Sequence, residues 1–189
     1  MMDGLSPQRI RMRFPAGVAS DADSEAVAAA AAGSRTAFAT LYRRHAARVH
    51  GAVLRLCGYD PIQAEDVTQE AFLAAWRSLP SFRGDSAFAT WLYRIAVNQA
   101  LATLRAQAVA VGRGCVDEEV PFEPASCPAE RSELERAVAS LPPRARSVLV
   151  LHDVEGWTHD DIARSLGITA GACKAHLHRA RAMLRARLE

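Results

Sequence analysis

Apolar residues recur at three- and four-residue steps along most of the chain, and strand-like alternation is nearly absent. The pattern predicts an all-α protein. A first helix is expected through "DSEAVAAAAAG", stopping at Gly33. A second opens after Ser34 and carries Phe38, Leu41, Tyr42, Val49, Val53 and Leu56 on its apolar face, with Gly58 closing it. A third spans about 61–78: Asp60 is its N-cap, Pro61 its first residue, Gln63 occupies the capping-box position, and Pro80 ends it. The turn "RGDS" then offers Asp85 or Ser86 as cap for a fourth helix running to about residue 106.

Periodicity lapses in "VGRGCVDEEVPFEPASCP", which has the Gly, Pro and acid content of a linker. It resumes in "ERSELERAVASL" and in "PPRARSVLVLHDVEG", which has Pro at its start and Gly156 at its end. Thr158, with Asp161 three residues on, caps a short helix ending at Gly167, and Thr169 caps the long last one. The expected organisation is an N-terminal extension over 1–21, a helical domain over 22–106, a flexible acidic linker over 107–129, and a second small helical domain over 130–189.

Charge sharpens this division. The formal net charge is only +2. Residues 34–107, however, carry nine arginines against five acids, and residues 131–189 ten basic groups against seven acids. Between them, residues 106–130 hold one arginine and five acids. Two basic blocks joined by an acidic strap suit two modules facing a polyanion. Lys174 is the only lysine and alanine is abundant, as genomic base-composition bias would produce, so arginine positions are more informative than their number. No apolar run approaches the ~20 residues of a membrane span. The arginine-bearing N-terminus lacks the apolar stretch of a secretory signal, so no membrane insertion and a cytoplasmic location are expected. Cys57, Cys115, Cys127 and Cys173 are scattered without a C-x-x-C pair, and His176 and His178 point apart on a helix. No metal site and no cofactor are expected, with Cys57 and Cys173 read as small buried residues.

The second block has the layout of a helix-turn-helix: a short helix, a turn through "LGIT", and a longer helix. Ala163 would allow close helix approach, and Ile162, Leu166 and Ile168 would fill the core. On the last helix Cys173, Leu177, Ala180, Leu184 and Leu188 share one face. Lys174, His178, Arg181 and Arg185 form the neighbouring stripe, which suits a major groove walled by phosphates. A solvated basic face is the plainer alternative for that stripe alone. His152 and His159 are read as ordinary surface histidines, and Trp157 as a packing residue.

In the first block "FRGDSAFATWLYRIAVNQAL" concentrates Phe82, Phe88, Trp91 and Tyr93 beside Arg83, Arg94 and Asn98, although aromatics make up only 6% of the chain. On a helical wheel Phe88, Leu92, Ile95 and Ala96 form the core face. Ala87, Arg94, Asn98 and Arg105 form a polar stripe with Trp91 at its edge. An indole there can stack on an unpaired base, with Arg94 near a phosphate and Asn98 offering its amide. Phe82 and Arg83, in the preceding loop, can help hold a base drawn from the duplex. Packing of Trp91 on a neighbouring helix is the alternative. Stacking returns about 1–3 kcal/mol per base, whereas separating about ten base pairs costs on the order of 14 kcal/mol. Trapping a single strand therefore demands a larger partner. The third helix offers a surface for one, with Asp66, Gln69, Glu70 and Leu73 mixing acids and apolar groups as a basic protein partner would require.

The stretches "AEDVTQEAFLAAWRSLPSFRGDSAFATWLYRIAVN" and "LPPRARSVLVLHDVEGWTHDDIARSLGITAGACKAHLHRARAMLR" resemble the extracytoplasmic-function group of bacterial sigma factors, the first being similar to its sigma-E-like branch. The resemblance implies a non-catalytic subunit that joins core RNA polymerase and directs promoter-specific initiation. It implies that Asp66, Gln69, Glu70 and Leu73 dock on the beta-prime clamp helices, and that Phe82, Arg83, Ser86, Trp91, Tyr93, Arg94 and Asn98 receive the minus-ten element of promoter DNA. The second domain would bind the beta flap and read the minus-thirty-five element through Lys174, Ala175, His178, Arg179 and Arg181. The acidic linker would thread toward the polymerase active-site channel, and a cognate anti-sigma factor is a further implied partner. The chain departs from the family after Asn98, where "QALATLRAQAVA" leaves mainly Arg105 for upstream duplex DNA, and at Ala172-Cys173 and Ala175-His176, which implies a different recognised sequence. A free-standing helix-turn-helix regulator is the rival reading. An enzyme on nucleic acid would need partners beside Asp66 and Glu70 that the sequence does not supply.

Overall fold

The computed structural model describes residues 21–110 and 132–189. Eight α-helices lie among the described residues. α1 (Asp21–Ala31), α2 (Arg35–Leu56), α3 (Pro61–Ser78) and α4 (Phe88–Ala110) form the first unit. α5 (Glu133–Ala139), α6 (Pro143–Leu149), α7 (His159–Leu166) and α8 (Ala170–Leu188) form the second. The expected extension, apart from Asp21, and the expected linker from residue 111 lie outside the described residues.

Most boundaries follow from local chemistry. The Ser34 hydroxyl accepts from the Ala37 N–H at 3.2 Å, and Asp60 accepts from the N–H groups of Ile62 and Gln63. Each satisfies donors that a helix start leaves without partners. Ser132 and Glu135 form a reciprocal capping box on α5. Thr158 and Thr169 accept from Asp161 and Ala172 at 3.2 and 3.1 Å. Gly167 closes α7 at φ +68°, where a side chain would be strained.

Two boundaries differ from expectation. α4 starts at Phe88, beyond both Asp85 and Ser86, and its first backbone bonds run from Thr90 and Trp91 to the Ala87 carbonyl. It also continues to Ala110, because "LATLRAQAVA" contains good helix formers and no Gly or Pro. The first unit thus takes in residues 107–110, expected as linker. α6 widens after Leu149 into a π turn over Val150–Val154 before Gly156 turns the chain.

Leu41, Val53, Leu56, Phe72, Leu92, Val97 and Leu101 fill the space between α2, α3 and α4. Leu141, Val148, Leu151, Ile162, Cys173, Leu177 and Ala180 do the same for α5–α8. The two cores are continuous: their buried residues form one cluster, and Arg55–Glu155, Arg146–Leu56 and Tyr93–Trp157 contacts join the units along a seam.

Candidate nucleic-acid interface

α8 is fixed by its apolar face and shows the other to solvent. Cys173, Leu177 and Ala180 are buried, Leu184 is partly buried, and Leu188 at the helix end is exposed. Lys174, Ala175, His178, Arg179, Arg181 and Arg185 are exposed. α7 packs on α8 with Ile162 and Ala163 buried, so the short helix, αL turn and long helix assemble as the spacing predicted. One member of the basic stripe is occupied: Arg181 donates to Asp153 through Nε and Nη2, at 2.9 and 2.6 Å. That pairing, together with His152, holds the Asp153 carboxyl below its usual range.

The two histidines expected as unremarkable surface residues are instead engaged. The π turn brings His152 against the start of α7, where its ring stacks on His159 at 4.5 Å. His152 Nδ1 lies 2.8 Å from Asp153, and His159 Nδ1 lies 3.4 Å from the Cys173 sulfur. Burial first, then the neighbouring His152 and Lys174, lower the His159 pKa. Among the described residues no three His, Cys, Asp or Glu side chains gather to hold a metal.

In the first unit, Phe82, Phe88 and Trp91 form an aromatic ledge where the loop enters α4. Trp91 lies 5.0 Å from Phe82 and 5.8 Å from Phe88, measured between ring centroids. The indole is half-buried, with Arg83 and Asn98 exposed and Ser86 and Arg94 half-buried. Tyr93 departs from the group: it is 2% exposed and faces the second unit, its ring 6.5 Å from Trp157. Burial first, and the Glu155 carboxylate next, push its phenol pKa up. Burial lowers the Arg94 pKa, and Asp161 of α7 is near enough to oppose that shift. Trp157, read as a packing residue, is buried at this seam.

On α3, Asp66, Gln69, Glu70 and Leu73 are all exposed, and half of the Leu73 surface meets solvent. The opposite face is anchored by Phe72 and Trp76, which pack against Tyr42 and Phe38 of α2 with tilted and edge-on rings, centroids 4.6 and 4.9 Å apart. The helix is therefore a rigid mount for an acidic and apolar stripe.

Arg146 is the residue that sequence reasoning missed. It is 1% exposed. Its Nε donates to the Leu56 carbonyl at 3.1 Å, and its Nη1 to the Ala139 and Leu141 carbonyls at 2.9 and 3.3 Å. The available signal was its apolar setting, since Leu149 and Val150 follow at three and four residues and mark it as facing inward.

Comparison with known proteins decides the family. Residues 41–109 match the family described as Sigma-70 region 2, and residues 131–184 match Sigma-70, region 4. The ECF RNA polymerase sigma factor SigM of Mycobacterium tuberculosis is 38% identical over 86% of this chain and 82% of its own length. The chain belongs to the extracytoplasmic-function sigma factors. The ECF RNA polymerase sigma-E factor of Haemophilus influenzae is 35% identical over 83% of this sigma factor and 90% of its own length. Among solved structures, CnrH in complex with the cytosolic domain of CnrY shares 29% identity at a TM-score of 0.54, covering 89% of this chain and 97% of that one. The sigma factor RpoE of Bartonella quintana, solved with the anti-sigma factor NepR, shares the fold at a TM-score of 0.57 and 21% identity, covering 80% and 96%. This chain is thus an alternative sigma factor that directs transcription initiation, and the free-standing regulator is not favoured. Among its described residues no helix is long and apolar enough to cross a membrane.

Proposed function

We propose that this sigma factor divides its work among three surfaces: α3 docks on the beta-prime clamp helices of core polymerase, the Phe82–Asn98 segment receives the unpaired minus-ten strand, and α8 reads the minus-thirty-five duplex. The observation that carries the reading is the exposure of Lys174, Ala175, His178 and Arg179 on a helix whose alternate face is locked in the core. Arg and Lys suit guanine edges and phosphates, and Ala175 is small enough to meet a thymine methyl group. Arg181, engaged by Asp153, is positioned as a phosphate contact only if that pair exchanges. The chain acts as a non-catalytic subunit, in keeping with its family. A cognate anti-sigma factor is a further proposed partner, supported by the likeness to CnrH, which was solved in complex with the cytosolic domain of CnrY.

The direct test is reconstituted transcription with purified sigma factor, bacterial core polymerase and a template carrying the region upstream of its own gene. Discrete transcripts that need the protein support the reading. Absence of both transcripts and core binding would return the chain to the free-standing regulator.

Two substitutions separate the surfaces. Lys174→Ala should weaken duplex binding and flatten the salt dependence by about one unit of slope if Lys174 neutralises a phosphate; an unchanged slope places it off the phosphate path. Glu70→Lys should weaken binding to core polymerase about tenfold or more by placing like charge against a basic partner, while leaving duplex binding by α8 unchanged. Equal core affinity in a pull-down titration would remove α3 from the docking surface.

A further inference from the structure

Along the core face of α2, Leu41, His45 and Val49 follow one another at four-residue steps, and the middle position is an imidazole. A ring with two nitrogens on an apolar stripe needs a polar partner. α1 supplies it: His45 Nε2 lies 2.9 Å from Asp23 Oδ2, with both side chains largely shielded from solvent. Facing a carboxylate, which accepts, Nε2 carries the donating proton. Arg44 Nη1 donates to the other oxygen of Asp23 at 3.0 Å, so two adjacent residues of α2 hold the one carboxylate.

The imidazole also meets the first residue of α4. Its centroid lies 5.5 Å from that of Phe88, with the rings tilted by 59°, and Phe88 is buried. Phe88 in turn backs Phe82 edge-on at 6.2 Å and Trp91 at 5.8 Å. A second path runs from α1 to the same place. α1 packs on the 3-10 turn over Leu79–Ser81, whose Leu79 carbonyl accepts from the Phe82 N–H at 3.0 Å.

We propose that His45 is a positioning residue for the minus-ten surface: tethered by Asp23, it braces Phe88 so that Phe82 and Trp91 hold one arrangement before a base arrives. His45 acts through Phe88 and not by touching the strand. Rings held in place beforehand spare binding the cost of ordering them. The consequence for promoter opening rests on the assignment of Phe82 and Trp91 to the single strand; the positioning itself does not. A histidine that served only the packing of α1 on α2 would change stability when replaced and leave the ledge unmoved.

The test uses the full chain labelled with 5-fluorotryptophan. Its three tryptophans, Trp76, Trp91 and Trp157, give three fluorine resonances, and Trp91→Phe identifies the ledge signal. Circular dichroism checks that helicity is retained. His45→Ala should move or broaden the Trp91 signal while leaving that of Trp157 in place. With core polymerase it should reduce promoter opening by roughly 2- to 10-fold, the loss of one aromatic contact, at unchanged core affinity. His45→Phe keeps a ring against Phe88 without the donor and should fall between parent and alanine in both readouts; it carries the test alone if the alanine variant loses helicity. Asp23→Ala should move the Trp91 signal as His45→Phe does, and adding it to His45→Phe should change nothing further. A Trp91 signal unmoved in the helical His45 variants overturns the positioning. Additive shifts from Asp23→Ala and His45→Phe overturn the tether and assign the effect of Asp23 to Arg44. A moved signal with undiminished opening overturns the link to strand capture. The fluorine readout involves neither DNA nor polymerase, so failure of the positioning is distinguishable from failure of the strand assignment, which promoter opening by Trp91→Ala tests separately.

Discussion

Arg146→Ala is expected to cost several kcal/mol of stability and to lower Tm by roughly 10 °C. Three carbonyls, those of Leu56, Ala139 and Leu141, accept from this one guanidinium. Each buried acceptor left without a donor costs about 1–3 kcal/mol, with part returned where water enters. A chain of this size loses about 2–4 °C of Tm per kcal/mol. The guanidinium itself carries a desolvation cost: burial pushes its pKa down to about 10, partly opposed by Cys57. It is tolerated because its donors meet carbonyls and a helix end, so an apolar side chain of similar length would recover some packing but not the carbonyl bonds. Arg146→Lys should fall between parent and alanine, since a single ammonium cannot span three acceptors with the reach of a planar fork. Gly58→Ala should reproduce part of the loss from the other unit, by strain at positive φ and by crowding Arg146 Nη1. Thermal melts of the three variants read this directly; a Tm for Arg146→Ala within a degree or two of the parent would show that the bonds carry little.

Arg146 also marks where local reading of the sequence ends. Helix starts at Ser34, Asp60, Thr158 and Thr169 were legible because a cap is chemistry within three residues of its donors. The helix-turn-helix was legible for the same reason, with Ala163, Gly167 and the face of α8 all lying within one short segment. The Arg146–Leu56 bond joins residues 90 apart, and no periodicity announces which carbonyl a buried arginine will find. Tyr93 was grouped with Trp91 because both are aromatic neighbours of Arg94. The structure separates them, since two positions on a helix turn a side chain by about 200°, and the second unit covers the side on which Tyr93 falls. The histidine pair was hidden similarly: the π turn after Leu149 shifts His152 onto α7, and hydrophobic spacing carries no signal for one extra residue per turn.

The candidate strand surface open to approach is the half-buried pair Phe82 and Trp91, backed by the buried Phe88, and there the largest functional effect is expected. Trp91→Ala should reduce promoter opening by roughly 5- to 150-fold, the equivalent of the 1–3 kcal/mol that one stacked base returns. Binding to core polymerase should be unaffected, because Asp66, Glu70 and Leu73 stand on α3 and are mounted through Phe72 and Trp76. The indole already packs against Phe82 and Phe88, so alanine also loosens the ledge; Trp91→Phe separates the two effects by keeping an aromatic face of smaller area. Opening measured by permanganate reactivity of unpaired thymines, alongside a core pull-down, should show a severe loss for alanine, a mild one for phenylalanine, and equal core binding for all three proteins. If phenylalanine fails as badly as alanine, the indole N–H or its full area is required rather than stacking alone. Undiminished opening in Trp91→Ala would confine the tryptophan to packing, leaving Arg83, Arg94 and Asn98 to hold the strand through its phosphates and base edges.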